Sequence, residues 1–304
     1  MQPISKADVA NAQKASTQPV AGVRIREIRT TDLAAVAALL TRGFAFRSEA
    51  YWLRGLERHA ARPRPPGFPT FGYCLDHGGA PVGVILLLFS EMQADDGTAI
   101  VRANVSSWYV EPAFRAFSSM LVRAATRDKA VSYFNITPAP HTWPQVEAQG
   151  FSVYCRGQIY AALALSRRLP EVTIEPFAEG DAAGLSAYEA DLLGQHAGWG
   201  CESIVVRDGA AAHPFVFQKH RIRNVLPVYR LLYCRDIADL VRLAGNIGRF
   251  LMRRGGLLVR FDADAPVSGV AGWYSEKRGR KYAKGRHPPR LGDLAFTEAA
   301  LFDA

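Results

Sequence analysis

The sequence predicts an α/β protein in which mixed sheets are flanked by helices, with two such units in one chain. Runs rich in β-formers alternate with segments of helical period, and Gly and Pro punctuate the joins. The pattern that opens at Val23 starts again 149 residues later, aligning Val23 with Val172, Ile25 with Ile174, Asp32 with Asp181 and Val36 with Leu185 without a gap. A diverged duplication explains this recurrence; two unrelated units sharing common β–α punctuation are the alternative. The division is residues 1–22 as a disordered leader, 23–168 as the first domain and 169–304 as the second.

In the first domain Val23, Ile25 and Ile28 form a short strand-like run, and Thr31 or Asp32 can cap a helix carrying Leu33, Val36, Ala37 and Leu40 on one face. A second helical pattern spans 48–60. The Pro-rich segment 62–69 excludes both helix and central strand. Residues 70–75 and 81–89 read as strands joined by the turn Asp76-His77-Gly78-Gly79. A turn at Asp95, Asp96 and Gly97 leads into a long strand over 100–110. Then follow a helix over 116–128, a strand over 131–136, a short helix over 141–149 stopped by Gly150, and a closing strand over 151–165. The second domain repeats this outline, with strands near 215–218 and 228–233. A helix from Asp236 places Ile237, Leu240, Val241, Ala244, Ile247 and Leu251 on one face, before a strand over 256–261.

At 304 residues with 49% hydrophobic content, the chain is long enough for two cores. No apolar run approaches the ~20 residues of a membrane span. The polar leader lacks the apolar stretch of a signal peptide, so the cytoplasm is the expected location. Four scattered cysteines, Cys74, Cys155, Cys201 and Cys234, fit neither a zinc site nor a disulfide framework. No metal site is expected. The net charge of +9 falls mostly before residue 170. That balance suits an anionic cofactor, nucleic acid or acidic lipid, and nucleic acid is the minority reading because no zinc-finger or RNP-type pattern accompanies it.

Two segments suggest chemistry. Residues 110–121, V-E-P-A-F-R-A-F-S-S-M-L, hand a strand over to a helix, leaving unpaired amide hydrogens at the helix start. With Arg115 and the small Ser118 and Ser119 they suit a phosphate; an ordinary capped turn is the alternative. Residues 277–290 hold seven Lys or Arg and read either as an anion-binding arm or as a solvated loop.

With this element order, the first domain resembles the GCN5-related N-acetyltransferases (GNAT), which move acyl groups from acyl-coenzyme A to amines. Tyr109-Val110-Glu111-Pro112 followed by Arg115-Ala116-Phe117-Ser118-Ser119-Met120 resembles the family's turn and cofactor loop, and Glu147-Ala148-Gln149-Gly150-Phe151 its closing E-x-x-G-F turn. The likeness covers 23–165 in full and the second domain in outline. It implies two GNAT-like domains in tandem, each a mixed, mostly antiparallel sheet, the second degenerate. Ser118 and Met120 stand where the family prefers glycine-like residues, and Val146 where it often carries an acid tyrosine.

The resemblance implies acyl-CoA as co-substrate and direct transfer in a ternary complex to a small-molecule or peptide amine, by a monomer or homodimer. The pyrophosphate would lie over Ala116, Phe117, Ser118, Ser119 and Met120 beside Arg115, and the pantetheine would pair with the backbone of Trp108, Tyr109 and Val110. Asn135, Thr137 and Glu91 are the catalytic candidates, with Asn104 and Ser106 near the same expected cleft. His141 is considered as the missing acid. Two other readings stay open: an acyl-CoA-binding or regulatory protein without turnover, and a nucleic-acid-binding protein using 277–290.

Overall fold

The computed structural model describes residues 22–93, 97–180, 182–222 and 225–302. Residues 1–21 of the expected leader, Asp95 and Asp96 of the expected turn, and Asp181 of the repeat alignment lie outside the described residues.

The first half runs β1 (Val23–Glu27), α1 (Leu33–Gly43), α2 (Glu49–Ala61), β2 (Gly72–His77), β3 (Ala80–Gln93), β4 (Ala99–Val110), α3 (Ser118–Ala125), β5 (Ser132–Asn135), α4 (Trp143–Ala148) and β6 (Ser152–Cys155). β7 (Gly157–Ala161) ends the first half, and the second runs β8 (Val172–Pro176), α5 (Ala187–Gly198), β9 (Glu202–Asp208), β10 (Ala211–Ile222), β11 (Leu226–Cys234), α6 (Ile237–Arg242), α7 (Ala244–Arg253), β12 (Leu258–Ala263), β13 (Gly272–Ser275), β14 (Lys281–Lys284) and α8 (Glu298–Leu301).

Local chemistry sets these bounds. Ser48 caps α2 by accepting the Tyr51 N–H. Asp32 does not cap α1; its carboxylate accepts the Arg29 N–H and pairs with Arg26 instead. Gly78 and Gly79, with φ of 61° and 87°, make the two-residue turn between β2 and β3. The helix expected from Asp236 breaks at Leu243 into α6 and α7. Gly245 and Gly248 let α7 lie directly on the backbone of 163–167, where a Cβ on Gly248 would stand 2.1 Å from the Ala164 nitrogen. The gapless repeat alignment does not extend past β8, since Val36 lies in α1 whereas Leu185 lies in a turn.

Both sheets have seven strands, ordered β1-β2-β3-β4-β5-β14-β6 and β8-β9-β10-β11-β12-β7-β13. The orders are identical position by position, and the sixth place in each is filled by a strand of the other half. The single closing strand expected over 151–165 is therefore two: β6 stays in the first sheet, and β7 crosses to pair with β12 and β13. The chain changes sheet at Arg156, whose N–H is held by Asp264 at 2.7 Å. In return β14 enters the first sheet between β5 and β6.

The exchange also revises the basic segment, which is neither a free arm nor a solvated loop. Its middle is β14, with Lys281 buried against Asp262 at 2.6 Å. Lys284 donates to Thr126, Arg290 to the Cys234 carbonyl, and Arg280 stacks over Trp143.

Alternation along the strands gives each sheet two cores. On the first sheet, Val84, Leu86 and Leu88 pack under α1 and α2, whereas Ile85, Leu87 and Phe89 pack with Leu121 and Val122 of α3. A further core joins the halves, uniting Phe134 and Ile136 with Leu192, Val216, Leu232, Leu294, Phe296 and Ala299. Across this junction Arg102 of β4 forms a fully buried pair with Asp293, at 2.7 and 3.1 Å.

Candidate functional site

The parallel strands β4 and β5 stay in register only from Arg102 opposite Ser132 to Asn104 opposite Phe134. They part at a bulge in β4. Val84 of β3 lies opposite Tyr109 and Leu86 opposite Ser106, so Ile85 faces both Ser107 and Trp108. Ser107 takes the extra turn with φ of 47°, and such a bulge bends the strand that carries it. Beyond Asn104 no strand pairs with β4 on the β5 side among the described residues.

A polar cluster fills the root of this gap. The Asn104 side chain is completely buried and accepts the Glu298 N–H at 2.8 Å, while its amide donates to the Phe134 carbonyl at 3.2 Å. Ser106 donates to one carboxylate oxygen of Glu298, and Thr137 donates to the other at 2.5 Å. Phe296, with φ of 58°, turns the chain into the gap, and α8 then presents Glu298. Burial raises the Glu298 carboxyl above its ordinary value, against the opposing pull of the Ser106 and Thr137 hydroxyls and the Arg230 charge.

The structure thus brings Asn104, Ser106 and Thr137 together, with Asn135 beside them accepting the Thr137 N–H at 3.2 Å. It does not bring Glu91. Because β3 and β4 are antiparallel, a residue late in β3 lies early in β4, and Glu91 sits exposed opposite Val101, away from the bulge. His141 is exposed in a short 3-10 turn, and Val146 is a core residue with no proton to give.

Glu298 escapes sequence reasoning. It lies in what the sequence suggests is a final β-rich region, and no spacing links it to Ser106, 192 residues earlier.

The expected cofactor segment is more helical than a glycine loop. Residues 112–117 form a 3-10 helix that continues into α3, and the Ser118 N–H is spent on the Arg115 carbonyl. A 3-10 turn likewise directs its amides to carbonyls three residues back, so the amides of 116–118 do not form an open cradle. Arg115, Ala116 and Ser119 are exposed, Ser118 and Phe117 half-buried, and Met120 stands 43% exposed. Arg115 makes no ion pair among the described residues. Trp108 and Tyr109 are half-buried beside the gap, Tyr109 packed against Gly43, where a Cβ would stand 2.4 Å from its ring.

The second sheet repeats the device and then closes it. Val216 lies opposite Tyr233 and Phe217 opposite Leu231, so Leu232 is the bulged residue of β11. Here the edge is covered: the Cys234 N–H donates to Gly292 and the Leu294 N–H to Leu232, at 2.9 and 2.7 Å, with Tyr233 bridged to Asp293. The chain therefore seals the β11 edge with 292–294 and then runs on to the β4 gap with Glu298.

No sequence-family model and no curated protein matches this chain. Solved structures do match its backbone. A GCN5-related N-acetyltransferase from Anabaena variabilis has a TM-score of 0.56 at 11% identity, over 86% of this chain and 72% of its own. A protein of Pyrococcus horikoshii, whose assignment as an acetyltransferase is itself inferred, has a TM-score of 0.53 at 12% identity over 91% and 94%. The GCN5-related glucosamine N-acetyltransferase region of a fungal multi-domain β-N-acetylglucosaminidase has a TM-score of 0.57 at 12% identity, over 88% of this chain and 38% of that one. At these identities the likeness is one of fold. The chain has the GNAT fold, built as two halves that exchange a strand.

No helix among the described residues is long and apolar enough to cross a membrane.

Proposed function

We propose that the chain transfers an acyl group from acyl-CoA to an amine, with the first half holding the acyl-CoA and the reaction placed in the gap between β4 and β5. The observation that carries this reading is the difference between the two gaps. Each sheet has a bulged strand parting from its parallel neighbour, yet 292–294 covers the edge of β11 and, among the described residues, no strand covers that of β4. A pantetheine arm recognised by strand addition needs a free edge, so it is offered one in the first half only. Its phosphates would then lie toward Arg115, Ser118 and Ser119, with Arg115 the charged contact in place of an open amide cradle.

In this reading the acceptor amine gives a proton to Glu298, directly or through the Ser106 or Thr137 hydroxyl, and its nitrogen attacks the thioester carbon. The C–N bond forms, the C–S bond breaks, and the leaving coenzyme A thiolate receives from Glu298 the proton the amine gave up. A carboxyl raised by burial is a stronger base than an exposed glutamate, which suits the role. The likeness to GNAT structures supports the reaction class and does not choose the acyl chain or the amine.

A second reading, acyl-CoA binding without turnover, is favoured by one observation. Glu298 is buried on Asn104, Ser106 and Thr137, so this turn already fills the root of the gap and must shift before an amine enters. Calorimetry with acetyl-CoA and longer acyl-CoAs tests the shared premise, and Arg115→Glu is expected to weaken binding at least tenfold. No binding, or binding indifferent to Arg115→Glu, refutes both readings. Thiol release across an amine panel, lost in Glu298→Gln while acyl-CoA still binds, supports transfer; binding without release supports the second.

A further inference from the structure

The second sheet carries a cavity of about 800 Å³ at the end where β11 and β12 begin, away from its bulge. Cross-strand register shows how it is built. His220 lies opposite Val228, Val228 beside Leu258, Arg230 beside Arg260, Arg260 opposite Tyr160, and Tyr160 opposite Trp273. Directly paired residues point to the same face of a sheet. One face therefore presents His220, Arg230, Arg260, Tyr160 and Trp273 together, and Arg221 and Arg278 close the rim of the cavity.

Charge on this face is unbalanced. Arg260 lies beside Arg230, a like charge on the neighbouring strand that Asp262 and Glu298 partly offset. Asp262, the acid next along the same face of β12, is engaged by Lys281. Arg221, Arg260 and Arg278 form no ion pair with any carboxylate among the described residues. His220 is held neutral at pH 7, its imidazolium lowered to about 4 by burial and then by Arg260 and Arg230. Its buried Nδ1 has no hydrogen-bond partner among the described residues.

The other wall is flat and apolar. Tyr160 and Trp273 stack at 5.2 Å with an interplanar angle of 12°, and the Gln158 amide fixes the Tyr160 hydroxyl at 2.6 Å. Trp273 remains 55% exposed. An exposed tryptophan stacked on a tyrosine beside Arg221, Arg260 and Arg278, at the mouth of a cavity large enough for a small molecule, matches how ring-bearing anions are held.

We propose that this cavity binds an anionic small molecule with a flat ring beside its acid group, the acid held by Arg221, Arg260 and Arg278 and the ring laid against Trp273 and Tyr160. The site is separate from the β4 gap, and its argument does not depend on acyl transfer.

The test is calorimetry and tryptophan fluorescence on the full chain with phenyl phosphate and 2-naphthoate, against the neutral benzamide and 2-naphthamide. The two anions should saturate by about 1 mM, a dissociation constant typical of a weak small-molecule contact. The neutral compounds should not saturate, and added salt should weaken the anions. Arg260→Gln, and separately the exposed-site double variant Arg221→Gln/Arg278→Gln, should each weaken binding at least tenfold. Trp273→Ala should weaken 2-naphthoate more than inorganic phosphate. Should Arg260→Gln fail to fold, the exposed-site variant alone decides. Absence of saturable anion binding, equal binding of the neutral compounds, or affinity unchanged in the arginine variants overturns the proposal. Acetyl-CoA titrated on the same preparations reports the β4 site independently, so failure at one site is not mistaken for failure at the other.

Discussion

Replacing Arg102 by methionine tests whether the two halves stand or fall together. Arg102 and Asp293 are each 2% exposed, and the guanidinium also donates to the Ala295 carbonyl and Ser90 hydroxyl, both at 3.3 Å. Burial alone would push the Asp293 carboxyl up, but the charge of Arg102 and its hydrogen bonds hold it below the usual carboxylate range. Removing the arginine leaves a buried acid without its partner, at a cost of about 3–5 kcal/mol. In a chain of this size 1 kcal/mol moves the midpoint by roughly 2–4 °C, so melting should fall by about 6–20 °C. The double variant Arg102→Met/Asp293→Leu removes both charges and should recover most of that loss, because the desolvation penalty disappears with the pair. Since the pair spans the junction, melting followed by circular dichroism and by tryptophan fluorescence should move together. The sign of the pH effect follows from the depressed Asp293 value: its contribution is full above the unfolded carboxylate value, declines below it, and is lost once pH has fallen through the depressed folded value. A drop below about 1 kcal/mol in Arg102→Met would refute the reasoning, as would a double variant no more stable than the single.

Glu298 has the opposite sign. Its raised value means that the folded state favours the protonated form, so its contribution opposes folding at neutral pH and diminishes as pH falls toward the unfolded value. Glu298→Gln should therefore flatten the stability profile on the acid side in urea titrations, and any thiol-release activity of the parent should rise with pH through the raised carboxyl. Gly248→Ala places a methyl against the Ala164 backbone, which cannot rotate away, and should cost about 1–3 kcal/mol by chemical denaturation. At Gly55 the atoms nearest to an added Cβ all belong to the Phe302 ring, the first at 2.1 Å. Gly55→Ala should leave the melting temperature less affected than Gly248→Ala while loosening the terminal turn, seen as faster hydrogen exchange over 298–302. Ser107→Gly should be tolerated and Ser107→Val should be destabilising, because at φ of 47° glycine is unstrained and a β-branched residue is more strained than serine.

The sequence made the element order of the first half readable because local signals set it. Gly78-Gly79 forces a two-residue turn and Ser48 caps a helix. Gly150, with φ of 84°, ends α4 with its N–H on Glu147 and the Phe151 N–H on Val146. The strand exchange left no such signal. Residues 151–165 are rich in β-formers on both sides of Arg156, and nothing in Cys155-Arg156-Gly157 says that the next strand belongs to another sheet. The basic run 277–290 misled for a related reason. Lys281 and Lys284 look solvated in composition, yet the carboxylate of Asp262 and the hydroxyl of Thr126 that receive them come from distant segments. The candidates on β4 and after β5 were legible as strand-end polar residues, whereas Glu91, of the same description, could be told apart only once strand direction was known.

The repeated architecture has a consequence at the site that neither half has alone. Both halves open a gap by the same device, a bulge that turns one parallel strand from its neighbour. The chain passes both gaps in succession over its last described residues. At the first it lays backbone along β11, where Gly292 and Leu294 satisfy the exposed edge as an added strand would. At the second it makes no backbone pairing with β4 and instead delivers a carboxylate, with Asn104 holding the Glu298 N–H and Ser106 and Thr137 its oxygens. Asp293 fixes this route midway by its pair with Arg102, itself on β4 two residues before Asn104. One half thus spends its free edge on closing itself, and the segment that closes it furnishes the other half with an acid the first sheet does not encode. The open β4 edge and Glu298 are therefore one design, and a change that loosens Asp293 should disturb both the junction and the gap.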